Sequence, residues 1–400
     1  MKESGALSGL LVLDLSRRFP GAYSAMVLGD FGAEVIKIDP PGAQFPISYK
    51  GHDIDTTTAD FAAHYAPDRN KRSIVLDLKD EEARDVLYKL VQKADVLIEG
   101  FRPGVMKRLK ADYDTLREMN PRLVYCALTG FGQSGPYREM PAHDVNFIAL
   151  GGALSLVGPK DGAPCPPSNL LADMAGAGMQ GVIGILMALM ARERTGRGQF
   201  VDCAYLDGVV SLLSMEASYY FLSGRVPQQG ESVGGGGDAP WVGVYKCKDG
   251  EYISIGCSED HFWKNLCLLL GREDLIALKF DSKASELEHL RVVLTEIFLT
   301  KTRNEWFELA KDKQTCLTPV WHMDETFADP QILHRQMLLE VDHPSLGKVR
   351  QVGVPTKLSE TPGQVRSLGA VAGAHTDQVL AELGYSEADI GRLRSAGAVG

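Results

Sequence analysis

The chain has 400 residues, 44 % of them hydrophobic and 24 % charged, with a formal net charge of −10 and a pI near 5.5. Length and composition of this kind describe globular material for two or three domains and exclude a disordered or fibrous chain. The acidic balance excludes broad nucleic-acid binding, which needs a basic face, but leaves room for a local basic pocket that takes one phosphorylated ligand.

The first half alternates strand and helix signals. LLVLDLS (10–16) reads as a short strand, and PGAYSAMVLGDFGA (20–33) has apolar residues at helical spacing with Pro20 in the first turn. EVIKID (34–39) and RSIVLDL (72–78) are further strands, and EEARDVLYKLVQKA (81–94) is an amphipathic helix. DVLIEGF (95–101) is a strand, GVMKRL (104–109) begins a helix, and RLVYCALTGFG (122–132) is a strand running into a glycine turn. Strands separated by helical stretches of this length predict βαβ units and a mostly parallel sheet. The first strand is followed by SRRFPGAYS, which lacks the G-x-G-x-x-G fingerprint, so dinucleotide binding is not expected and Asp39 reads as an ordinary strand-end residue.

Residues 174–191, MAGAGMQGVIGILMALMA, form an apolar run of 18. It has the length of a membrane span. Gln180, the many small residues and its isolation in the sequence favour instead a helix inside a large core or a subunit interface. No membrane association is expected. Residues 226–241, VPQQGESVGGGGDAPW, change the texture to a linker or loop with four consecutive glycines, Gly234, Gly235, Gly236 and Gly237. VGVYKCKDGEYISIGC (242–257) reads as a hairpin turning at Lys248-Asp249-Gly250, and EDHFWKNLCLLLG (259–271) as a helix stopped by Gly271. A second, smaller domain is therefore expected over 226–330. The rest, 1–225, forms a large domain to which 331–400 returns. The seven cysteines are scattered without a C-x-x-C pair, so no zinc set, no other metal site and no disulfide framework is expected, and a reducing compartment such as the cytoplasm is. The first 16 residues lack the basic and small-residue features of a signal peptide.

Several residues could carry chemistry. Lys71-Arg72 precedes one strand and Phe101-Arg102 follows another, in loops beside the sheet where open α/β folds bind ligands. Arginine and lysine there suit a phosphorylated adenosine with a diphosphate, although they are also what a solvated surface carries. His143-Asp144 follows a glycine-rich turn, and Asp173 lies at the start of the long apolar helix. A carboxylate in that position caps backbone N–H groups, and the helix end favours its charged form. Glu259 opens the helix after the hairpin, where it equally serves as a first-turn acid.

Together these segments resemble the family III CoA-transferases and, among them, the α-methylacyl-CoA racemases. The resemblance runs through LSGLLVLDLS, GAYSAMVLGDFGAEVIKIDPPG, NKRSIVLDLK, DVLIEGFRPGVMKRL, LTGFGQSGPY, AHDVNFIAL, NLLADMAGAG, RERTGRGQFVD and HTDQVLAELGYSEADI, nearly the whole chain. It implies an α/β fold, with a Rossmann-like parallel-sheet large domain and a smaller α+β domain, assembled as an interlocked homodimer. It places coenzyme A on the large domain, against Lys71, Arg72, Phe101, Arg102 and Arg108. An arginine common in the family after the second strand is replaced by Pro41. Asp173 matches the aspartate shared by both branches, a nucleophile in the transferases and one of two bases in the racemases. His143-Asp144 matches the racemase histidine motif, with Ala142 in place of its glycine, and Glu259 falls where racemases carry a carboxylate supporting that histidine. Gly234 to Gly237 resembles instead the loop that closes over some transferase sites.

The resemblance thus implies an acyl-CoA enzyme needing no metal or organic cofactor, coenzyme A being part of the substrate. The leading expectation is racemisation by 1,1-proton transfer between His143 and Asp173, for which histidine suits by titrating near neutral pH. The alternatives are CoA transfer between carboxylic acids through Asp173 as nucleophile, and a subunit that binds acyl-CoA without catalysis.

Overall fold

The computed structural model describes residues 5–43, 47–49, 52–230, 239–279 and 283–400. The chain divides into two compact units. The larger comprises Met1–Gly151, Ser168–Ser211 and Pro330–Gly400, and the smaller Gly152–Pro167 and Leu212–Asp329. The division between them falls at 211/212 rather than at 225/226, and the short segment 152–167 goes to the smaller unit. Hydrogen bonds tie that segment to its own unit: Gly230 N–H donates to the Leu156 carbonyl (3.1 Å) and the Gln229 amide to the Pro159 carbonyl (2.7 Å).

The larger unit is built on six parallel strands: β1 (Leu11–Asp14), β2 (Glu34–Asp39), β3 (Lys71–Val75), β4 (Val96–Glu99), β5 (Val124–Thr129) and β6 (Phe200–Ala204). Their spatial order is β3-β2-β1-β4-β5-β6. Every residue of β4 and β5 is buried, as expected for strands covered on both faces. On one face lies α2 (Glu81–Val91), capped by Asp80, whose carboxylate accepts from the N–H groups of Glu82 and Ala83. Its Ala83, Val86, Leu87 and Leu90 recur at helical spacing and pack on Leu13, Ile36, Ile74 and Leu97. On the other face, Val12, Val35, Ile98 and Cys126 meet α1 (Phe19–Asp30) and the long apolar helix, α4 (Leu170–Thr195).

The C-terminal residues close onto the edge strand. Asp77 N–H donates to the Ala398 carbonyl (2.9 Å), Leu76 bridges Val399, and His375 N–H donates to the Ser73 carbonyl (2.9 Å). In the smaller unit the expected hairpin is present: strands Val242–Lys246 and Tyr252–Gly256 pair antiparallel, with Gly250 at φ +87° in the turn, and Leu317–Pro319 adds a third strand. Trp263, Leu266, Phe298 and Trp306 form its core. Gly234 to Gly237 lie outside the described residues.

The long apolar helix departs from the regular form. It starts at Leu170 rather than after Asp173, and its first ten residues, Leu170–Met179, wind as a π-helix before the α-helical Gln180–Thr195. Small residues permit this wider turn beside two neighbours. Ser24 of α1 donates its hydroxyl to the Gly178 carbonyl (2.7 Å), and a Cβ on Gly208 would stand 1.9 Å from the Gly176 carbonyl oxygen. Among the described residues nothing covers the opposite side of α4, and 39 % of its apolar window is buried.

Candidate active site

In an open parallel sheet, ligands bind at the carboxyl ends of the strands where the chain order reverses. Here that point lies between β1 and β4. A cleft of about 620 Å³ opens there, lined by Arg18 after β1, Phe101 and Arg102 after β4, and Phe131 after β5. α3 (Asp144–Leu150), the start of α4 and the residue after β6 complete it, bringing His143, Asn146, Asn169, Asp173 and Tyr205 to its wall. His143 and Asp173, 30 residues apart in sequence, therefore meet across one cavity. His143 stands at the N-cap of α3, its N–H donating to the Asn146 side-chain oxygen (3.0 Å), and it is exposed to the cleft.

Asp173 does not cap its helix. That place is taken by Asp144, buried on α3, whose Oδ2 accepts from the N–H groups of Ala172 (2.9 Å) and Asp173 (2.8 Å). The consequence reverses the expectation that the helix end favours the Asp173 charge. Burial, and then the neighbouring Asp144 carboxylate, push Asp173 up to about 6, opposed by a hydrogen bond with Asn169 and by the charges of His143 and Arg18. A carboxyl poised there exchanges protons near neutral pH, the condition for general acid–base work. Glu99, at the end of β4, accepts the Phe101 N–H (2.7 Å) and so fixes the loop that carries Phe101 and Arg102. Its own carboxyl is pushed up to about 7 by burial.

A second cavity lies at the ends of β1, β2 and β3. Leu15, Ile38, Leu76 and Leu78 form its apolar floor, with Arg17, Lys79 and Arg108 among its lining residues. Phe101 belongs to both cavities and is their common wall.

Two expected ligand contacts lie away from both of these cavities. Lys71 is buried: its ammonium donates to Asp14 (2.7 Å) and to the Ala22 carbonyl (3.0 Å), and it faces neither cavity. Removing one partner of such a pair leaves an uncompensated interior charge at about 3–5 kcal/mol. Arg72 sits at the opposite end of β3, bound to Glu34 and to Glu382 (2.7 Å). Both lie at the start of β3, and a parallel sheet presents the other end to ligand. The residues that the sequence reading passed over are Arg17, Lys79, Asn169 and Tyr205. Arg17 and Lys79 stood in quoted segments, SRRFPG and LDLK, immediately after strands, the position that marks them. Glu259 belongs to the smaller unit, where it precedes helix Asp260–Leu270 without a side-chain cap bond.

The larger unit is thus a doubly wound α/β sheet with a carboxyl-bearing cleft at its switch point and a cation-lined cavity beside it. The match to the model of CoA-transferase family III over residues 7–376 then gives the family: the chain belongs to it. The human "Alpha-methylacyl-CoA racemase" is 34 % identical over 395 residues, covering 98 % of this chain and 96 % of that protein. The human "Succinyl-CoA:glutarate CoA-transferase" is 31 % identical over 408 residues, 100 % of this chain and 91 % of that one. Among solved structures, a CAIB/BAIF family protein from Brucella suis superposes with a TM-score of 0.79 at 31 % identity, covering 95 % of this chain and all of its own.

Proposed function

We propose that the chain inverts the α-carbon of a 2-methylacyl-CoA by 1,1-proton transfer. The observation that carries this reading is the meeting of His143 and Asp173 in one cleft, with Asp173 held near 6. In one direction the Asp173 carboxylate removes the α-proton and the electron pair passes to the thioester oxygen. Protonated His143 then delivers its proton to the opposite face, and the roles exchange for the reverse direction. The nucleotide end of coenzyme A is assigned to the second cavity, where Arg17, Lys79 and Arg108 meet its phosphates. Its thioester arm passes Phe101 and Arg102 into the cleft. No metal or organic cofactor enters this chemistry. We place the enzyme in the cytoplasm, consistent with seven free cysteines, away from any membrane, and as an interlocked homodimer.

CoA transfer is the second reading, favoured by the same open carboxylate and by the transferase relative. There Asp173 attacks the thioester carbonyl, expels the CoA thiolate and holds the acyl group as an anhydride. Incubation with a 2-methylacyl-CoA in deuterated water, without an acceptor acid, separates the two. Deuterium enters the α-position if the first reading is right. Absence of exchange, with an enzyme-bound acyl group trapped by hydroxylamine, would sink it.

A further inference from the structure

Tyr205 lines the cleft and takes no part in the proton transfer. It opens α5 (Tyr205–Leu212) directly after β6, and its ring packs edge-on against Phe147 with centroids 5.1 Å apart. Phe147 in turn meets Phe131 at 5.2 Å. The backbone behind the ring has no room to retreat. A Cβ on Gly176 would lie 3.2 Å from the Tyr205 carbonyl oxygen, and one on Gly208 would strike the backbone of Gly176. The phenol is therefore held rigidly on the wall that also carries His143, Asn169 and Asp173.

A fully buried phenolic O–H ordinarily finds a protein partner, whereas Tyr205 is only partly buried, which leaves its O–H available to a ligand in the cleft. Among the described residues none bonds to this one. Asp173 is the anion that acts on it most strongly. Tyr205 thus brings a donor with an unused proton to the same wall as the base, and feels the charge of that base.

We infer that the Tyr205 hydroxyl donates a hydrogen bond to the thioester oxygen of the bound acyl-CoA and stabilises the negative charge that develops on that oxygen. The inference rests on the proton-transfer reading for the identity of that charge, an enolate. Burial and the Asp173 charge both raise the phenol, so it keeps its proton throughout the working pH range. A donor aimed at developing charge acts on the transition state rather than on binding.

Tyr205→Phe removes the hydroxyl and keeps the ring on Phe147. In full-length protein, we expect kcat for α-deuterium exchange to fall about 100-fold or more, with KM changed less than about 3-fold. Calorimetry with a CoA-linked nitronate, a planar anionic mimic of the enolate, should show the same loss in affinity, while free CoA binds as before. Unchanged nitronate affinity in Tyr205→Phe overturns the inference, as does equal weakening of nitronate and CoA, which marks a purely structural role. The proton-transfer reading is judged separately, by exchange in the unsubstituted protein, and the nitronate comparison stands whichever way that result falls.

Discussion

Asp144 and Asp173 show how two carboxylates a short distance apart acquire opposite duties. Asp144 is buried with two backbone N–H donors on one oxygen, which ties its charge to the start of α4. Asp173 has no such pair of backbone donors, and burial and then the charge of its neighbour push its carboxyl up to about 6. The direction of the effect is testable. Asp144→Asn keeps an oxygen acceptor for the helix N–H groups but removes the charge, so Asp173 should titrate lower. Because the carboxylate is the active base, the acid limb of the kcat/KM profile should move from about pH 6 toward lower pH. The rate at pH 5 should then rise relative to that at pH 8. A limb that stays in place would show that Asp144 does not set the Asp173 titration. In the sequence, Asp173 and His143 were legible as candidates because each lies in a quoted motif. The cap exchange was not, since Asp144 reaches Asp173 only through the packing of α3 against α4.

At the scale of elements, the π-helical start of α4 is fixed by close contacts among small residues. Gly176, Gly178 and Gly181 face Tyr205, Pro20 and Ser24, and Gly208 faces Gly176. The run MAGAG was readable as small and apolar, but its winding was not, because regular helix propensity says nothing about which neighbours approach. Gly208→Ala places a Cβ 1.9 Å from a backbone oxygen that has no side-chain freedom to yield. We expect it to cost at least about 3 kcal/mol in urea denaturation, the upper range of overpacking. Gly391→Ala is the control. It lies in helix Glu387–Ser395 with no atom near its added Cβ, and should stabilise by about 0.5–1 kcal/mol. Equal behaviour of the two variants would contradict the packing account.

At the scale of the molecule, the uncovered side of α4 carries Met179, Ile183, Met187 and Met190, exposed by 46, 42, 65 and 72 %. Their spacing of three and four residues makes one continuous apolar stripe along the helix. Such a stripe is stable in water when another surface covers it. A second copy of the chain is the cover we expect, so sedimentation equilibrium should give twice the chain mass. Met187→Glu combined with Met190→Glu should shift it to the monomer, and a monomeric unsubstituted protein at micromolar concentration would refute the assignment.

Local pattern and motif in the sequence determined the strand–helix alternation, the hairpin of the smaller unit, and His143 and Asp173 as candidates, because each is encoded within a few consecutive residues. Three things waited for the tertiary structure. Strand order put the reversal between β1 and β4 and so chose Arg17, Lys79 and Arg102 over Lys71 and Arg72 as the cations beside the cavities. The burial of Lys71 against Asp14 turned an expected ligand contact into an interior ion pair. The unused hydroxyl of Tyr205 became visible only once Phe147, Asn169 and Asp173 stood around it. Each depends on contacts between residues far apart in the chain, which residue spacing does not record.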